Sequence, residues 1–340
     1  MRILYRLSLF VALLTWAAIA AEPTTQRPNF VVFIADDHTA IDSEPYGSTE
    51  VRTPQMAKLA AEGMRFTQAF VASPACGPSR TALLTGLWSA RNGAEPNHKP
   101  KNPGVASLPP VLKALGYETA AIGKVAHNTY AAGHGFDHIE GPNPGFADTQ
   151  AVARFLATRD RTKPLCLFVG TRHPHTVWSA DPAYDPAKVS LPPAHVDTPV
   201  TRREWTRYLT DVTKADTLLG EVRALARQHL SADTVFVYTA DHGAAWPFSK
   251  WTLYDAGIRT PLLVAWPSRI RPGTTSDALV CWPDLLPTFI ELAGGRVPAD
   301  IDGRSFVGVL RGTTTGHRDR IFATHSGDGN FNVFPIRAVR

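Results

Sequence analysis

The chain has 340 residues, 44% hydrophobic and 19% charged, which excludes a disordered or fibrous protein and leaves enough apolar surface for one large α/β domain without disulfide staples. A formal net charge of +5 favours anionic partners. The basic residues are scattered rather than striped and no nucleic-acid motif is present, so anionic lipid or a sulfated or phosphorylated polymer fits better than DNA or RNA.

At the N-terminus, Met1-Arg2 and Arg6 precede an uncharged apolar run, Leu7 to Ala20, closed by the small-x-small triplet Ala18-Ile19-Ala20. The run is shorter than the roughly 20 residues of a spanning helix. It therefore reads as a cleaved secretory leader, residues 1–20, and predicts export without a membrane anchor: periplasmic or extracellular, or lysosomal in a eukaryote.

Beyond it, apolar β-rich runs alternate with helical segments, the pattern of an α/β sheet with mostly parallel strands sandwiched by helices. Asn29 to Ala35 is a continuous apolar strand that runs into Asp36-Asp37-His38. Thr53 to Gly63 has an N-cap, a proline at the first helical position and a glycine stop. Ser107 to Gly116 repeats that logic and feeds a strand, Tyr117 to Ile122, which ends at Gly123-Lys124, with His127 just beyond.

Leu165 to Gly170 is the next strand and leads to His173-Pro174-His175. From Arg203 to Leu230 apolar residues recur at three and four, giving a long amphipathic helix. The strand Thr234 to Thr239 then runs into Asp241-His242-Gly243, Pro261 to Trp266 reads as a strand, and Asp284 to Ala293 reads as a helix. Loops are expected at 92–104, 141–145 and 181–199. Residues 21–320 read as one large domain, and 321–340 as the start of a small β-rich module that breaks off in mid-pattern.

Three cysteines in an exported chain cannot all pair internally. Cys166 and Cys281 lie in apolar runs and read as buried hydrophobes, whereas Cys76 lies among Pro, Gly, Ser and Arg.

Ligands in open α/β sheets bind beyond the carboxyl ends of the strands. Four strands here end in chemistry: Asp36-Asp37, Lys124 with His127, His173 with His175, and Asp241-His242. The three Asp residues offer hard oxygens suited to Ca²⁺ or Mg²⁺, while the imidazole of His242 leaves Mn²⁺ or Zn²⁺ open.

The run Cys76-Gly77-Pro78-Ser79-Arg80, followed by Leu83-Leu84-Thr85-Gly86, resembles the signature read by formylglycine-generating enzymes. Further similarity to the sulfatase family runs through most of the chain. Arg27-Pro28-Asn29 to Asp36-Asp37 resembles its first metal motif, Gly116 to His127 its Gly-Lys-x-x-His block, Asp241-His242-Gly243 its second metal motif, and 241–261 the segment carrying its sulfate-binding lysine. Pro247 to Lys250 and His173 to His175 look closest to the heparan N-sulfatase branch, with iduronate sulfatase second.

The resemblance implies an alkaline phosphatase-like fold and hydrolysis of sulfate ester or sulfamate groups of a sulfated saccharide. Cys76 would be oxidised to formylglycine by a formylglycine-generating or anaerobic sulfatase-maturating enzyme, and one divalent metal, Ca²⁺ by preference, would be held by Asp36, Asp37, Asp241, His242 and residue 76. Arg80, Lys124 and Lys250 would neutralise the sulfuryl oxygens and hold the hydrate. His127 would be its base, and His175 (with His173 as alternative) the acid for the leaving group. His38, His134, His138 and His195 are expected to be surface or loop residues. A phosphate or phosphonate ester hydrolase of the same superfamily and a non-catalytic binder of sulfated polymers remain as alternatives.

Overall fold

A computed structural model of the chain describes residues 27–141, 149–267, 269–328 and 333–340. The expected leader and most of the 141–145 loop lie outside them. The strands are β1 (Asn29–Ala35), β2 (Met64–Phe66), β3 (Ala69–Phe70), β4 (Glu118–Gly123), β5 (His138–Glu140), β6 (Leu165–Gly170), β7 (Thr234–Ala240), β8 (Leu262–Ala265), β9 (Thr274–Ser276), β10 (Val280–Cys281), β11 (Phe322–His325) and β12 (Ile336–Val339). Eight of them form the central sheet in the order β5-β4-β6-β1-β7-β8-β2-β9.

The sheet is mixed and mostly parallel. The four strands expected to end in functional residues, β4, β6, β1 and β7, are consecutive neighbours and all parallel, so their carboxyl ends share one edge. β8 runs antiparallel to β7, which its apolar composition alone does not announce. Every residue of β1 and β6 is buried, as strands covered on both faces must be.

Alternation along β1 divides the core into two layers. Phe30, Val32 and Ile34 pack on one face with Leu108, Leu112, Phe289 and Ile290 from the helices Leu108–Ala114 and Leu285–Leu292. Val31, Phe33 and Ala35 face Met56, Leu59, Leu219 and Val222 from the helices Pro54–Glu62 and Pro199–His229. Cys166 and Cys281 are buried, free thiols in the first layer, and burial pushes both thiol pKa values up, so that neither ionises readily.

Two expected loop histidines are in fact core residues. His38 is fully buried between the Tyr238 hydroxyl (2.8 Å) and the Asp42 carbonyl (3.1 Å), and burial lowers its pKa to about 4. His134 is buried against Ser107 Oγ at 2.9 Å, and burial lowers its pKa to about 3. Both stay neutral because the turns that carry them fold back onto the sheet. His138 and His195 are part-exposed, stacked on Phe155 and Trp246 respectively.

β11 and β12 form a separate antiparallel ribbon, attached where the Thr324 amide donates to the Ala72 carbonyl. Among the described residues no helix is long and apolar enough to cross a membrane. Phe168, at the centre of β6, touches Phe136 and Phe289, so Phe168→Ala is expected to cost about 3–5 kcal/mol, measured by urea denaturation.

Candidate active site

The nucleophile candidate owes its position to a helix N-terminus. The helix spans Cys76–Thr85 and begins at Cys76 itself, two residues before Pro78, because proline is tolerated in a first turn that lacks amide partners. Ala75 is the extended N-cap and makes no side-chain capping bond. The Gly77 amide donates to Asn97 Oδ1 at 2.9 Å. A side chain at Gly77 would meet the Asn97 carbonyl at 2.2 Å, so the 92–104 loop is pressed against the residue following Cys76.

Around Cys76 the strand ends bring together a set of acceptors. One ligand atom from each of Asp36, Asp37, Cys76, Asp241 and His242 lies within 4.8 Å of all the others, and all five residues are buried. His242 Nδ1 bonds the Gly243 carbonyl at 2.9 Å, a contact that requires a proton on Nδ1. In the neutral ring Nε2 is then a bare lone pair, aimed at Cys76 Sγ (3.3 Å), Asp37 Oδ1 (3.3 Å) and Asp241 Oδ2 (3.7 Å). Acceptors facing acceptors require a cation or a proton among them. The donor set of three carboxylates, one imidazole and residue 76 therefore fits a divalent metal.

Three fixed cations surround the cluster. Arg80, 1% exposed, donates to Asp241 Oδ2 (2.9 Å), to Asp36 Oδ1 (3.1 Å) and to the Lys124 carbonyl, so its guanidinium holds the ligands from beneath. Lys124 Nζ bonds Asp36 and lies 3.7 Å from Cys76 Sγ. Lys250 Nζ bonds both Asp37 oxygens, at 2.9 and 2.7 Å. Burial opposes the charge on each lysine, but Asp36 and Cys76 beside Lys124, and Asp37 and Cys76 beside Lys250, raise both pKa values.

Burial likewise raises the Cys76 thiol, yet Lys124 and Lys250 together hold it well below the usual thiol range. Asp36 behaves the same way, burial being overcome by Lys124 and Arg80.

The remaining predicted residues divide. His175 Nε2 faces Asp37 Oδ2 at 3.9 Å, whereas His173 Nδ1 turns to Asp211 Oδ2 at 3.6 Å on the long helix, so His175 is the one directed to the cluster. His127 is buried, three residues beyond Lys124; its Nε2 bonds His98 Nδ1 at 2.9 Å, and its Nδ1 is buried without a partner. Asn97 and His98 escaped the sequence reading. They occupy a Pro- and Gly-rich loop with no periodicity, and their partners lie 20 and 29 residues away.

The described residues thus bring together a cysteine at a helix N-terminus, a cluster of potential metal ligands, and flanking lysines and histidines. The sulfatase family model matches residues 28–295, and the chain belongs to the sulfatase family. An ulvan-active sulfatase of Formosa agariphila is 30% identical over 93% of this chain, which spans 64% of that protein. An N-acetylglucosamine-6-O-sulfatase of Bacteroides thetaiotaomicron is 26% identical, covering 84% of this chain and 71% of its own.

Two solved structures share the fold. One, in complex with its substrate D-glucosamine-2-N,6-O-disulfate, has a TM-score of 0.77 at 23% identity and covers 93% of this chain and 87% of its own. A phosphonate monoester hydrolase from Silicibacter pomeroyi has a TM-score of 0.75 at 22% identity and covers 88% and 80%.

Burial disfavours a charged His242, but Asp241, Asp37 and Cys76 raise its pKa to about 9. A metal must displace that proton, so binding should release protons below pH 9 and weaken as pH falls, because the raised pKa makes the proton the stronger competitor there. Calorimetric titration of Ca²⁺ in two buffers of different ionisation heat checks this: the apparent enthalpy should differ between them at pH 7.

Proposed function

We propose that the chain is an exported sulfatase that hydrolyses sulfate groups of a sulfated saccharide, with Cys76 matured to formylglycine and one divalent metal, Ca²⁺ by preference. The observation that carries this reading is the five-membered acceptor cluster around a Cys76 that also stands at a helix N-terminus. The Cys-x-Pro-Ser-Arg run supplies the recognition sequence for a maturation enzyme, and the apolar leader supplies export.

Charge balance supports a sulfate ester as substrate. Asp36, Asp37 and Asp241 are matched by Arg80, Lys124 and Lys250, so a divalent ion adds an excess of two positive charges. A sulfate monoester and one nucleophile oxyanion neutralise that excess. Asp36, Asp37, Asp241, His242 and residue 76 would hold the ion, which would supply Lewis-acid stabilisation of an attacking oxygen. The formylglycine hydrate supplies one oxygen to attack sulfur and a second whose deprotonation expels sulfate, which a thiol cannot do.

The chain's own groups do the rest. Lys124 and Lys250 hold fixed positive charge beside residue 76, where sulfuryl oxygens gather charge. Arg80 keeps Asp36 and Asp241 in place from below. His175, directed to the cluster and part-exposed, protonates the departing oxygen, and the unpartnered Nδ1 of His127 receives the proton of the hydrate.

The names of the relatives point to O-sulfated saccharides, while Pro247 to Lys250 and His173 to His175 favour the finer reading of a heparan N-sulfatase-like sulfamidase. The phosphonate hydrolase neighbour makes ester hydrolysis at phosphorus the second reading.

Turnover of O-sulfated and N-sulfated glucosamine, an aryl sulfate and a phosphonate monoester, measured side by side, decides among these. The sulfated saccharide should be hydrolysed with the highest kcat/KM, and Cys76→Ala should lower it by at least about 10³-fold. Faster turnover of the phosphonate would move the assignment to the second reading.

A further inference from the structure

The His98–His127 pair has no part in the scheme above beyond His127 itself. Its geometry is that of a relay. His127 is 8% exposed, so a proton taken up on its Nδ1 has no direct route to water. Its other nitrogen is bonded at 2.9 Å to Nδ1 of His98, whose ring centroid is 4.7 Å away. His98 is exposed, at the outer end of the pair.

The loop is held in register with the nucleophile on three sides. Asn97 Oδ1 accepts from the Gly77 amide at 2.9 Å, the Asn97 amide donates to the Gly327 carbonyl at 3.1 Å, and the Tyr130 hydroxyl donates to the His98 carbonyl at 2.8 Å. An exposed histidine anchored this firmly, with one nitrogen turned inward, is poorly explained as an ordinary surface residue.

We propose that His98 is the solvent-side member of a two-imidazole relay that carries away the proton His127 takes up in each turnover. This rests on the assignment of His127 as base under the proposed function. In the resting state His127 Nε2–H donates to a bare His98 Nδ1, which leaves His127 Nδ1 as the lone pair that the base assignment requires. When Nδ1 gains a proton from a substrate-side hydroxyl, the Nε2 proton passes to His98 Nδ1 and the His98 Nε2 proton passes to water. One proton enters and one leaves, and the reverse passage, when the aldehyde at residue 76 takes up water and its oxygen regains a proton from His127 Nδ1, restores the starting tautomers. Burial and the neighbouring His127 lower the His98 pKa, in keeping with an acceptor that is neutral at rest.

Two measurements test the relay. The first needs no turnover: ¹⁵N-histidine NMR of the unmodified chain, assigned with His98→Ala and His127→Ala, should show His127 protonated on Nε2 and bare on Nδ1. The opposite tautomer would overturn the proposal. The second uses the matured enzyme at low buffer concentration. His98→Ala should lower kcat by about tenfold or more while KM changes less than about twofold, and added imidazole should restore kcat in a saturable manner.

His98→Asn, which keeps an acceptor near the Nδ1 position but cannot pass a proton on, should stay impaired until imidazole is added. Because His98 is exposed, the melting temperature of these variants should stay close to that of the parent. An unchanged kcat, or a loss that imidazole does not restore, would refute the relay. Should His127→Ala itself remain fully active, the base assignment falls instead.

Discussion

Everything at this site depends on the repulsion among three buried carboxylates, an imidazole lone pair and a sulfur brought within 4.8 Å of one another. Such a cluster is stable only because Arg80, Lys124 and Lys250 are buried with it and spaced around its rim. The same cations hold the Cys76 thiol low and keep a field ready for an anionic group. Stability of the fold and readiness for an anion thus have one electrostatic origin.

The sheet makes that concentration of charge possible. Four adjacent parallel strands deliver their carboxyl ends to one edge, and the middle two, β6 and β1, are buried along their whole length. The side chains that follow therefore start from rigid backbone rather than from free loops. Gly170 shows how tightly the edge is packed: a Cβ there would come within 2.0 Å of the Lys124 carbonyl, the same carbonyl that Arg80 bonds. Strand packing and ligand placement are joined at that atom.

How much of this could be read from the sequence follows from the physics of each element. β1 and β6 match their expected limits because buried parallel strands are continuous apolar runs bounded by polar residues. The long helix and the four functional strand ends were legible for similar reasons, through periodicity and an abrupt change to Asp, Lys and His. Strands of two or three residues, such as β2, β3 and β10, carry too little pattern to register. The antiparallel direction of β8, the burial of His38 and His134, and the separation of His173 from His175 depend on contacts distant in sequence. His98 is the clearest such case, since only the folded chain brings it to His127.

The loops thereby acquire a graded role: the strand ends fix the clustered carboxylates and imidazole, the helix N-terminus fixes residue 76, and the 92–104 loop packs against the residue that follows it. Each function assigned to residue 76 requires an oxygen pair where the gene encodes sulfur. The most direct test is the mass of the tryptic peptide spanning Cys76, taken from protein made in a host able to form formylglycine. Replacement of the thiol by an aldehyde should leave that peptide lighter by about 18 Da. A peptide of unchanged mass from a preparation that hydrolyses sulfated saccharides would contradict the mechanism.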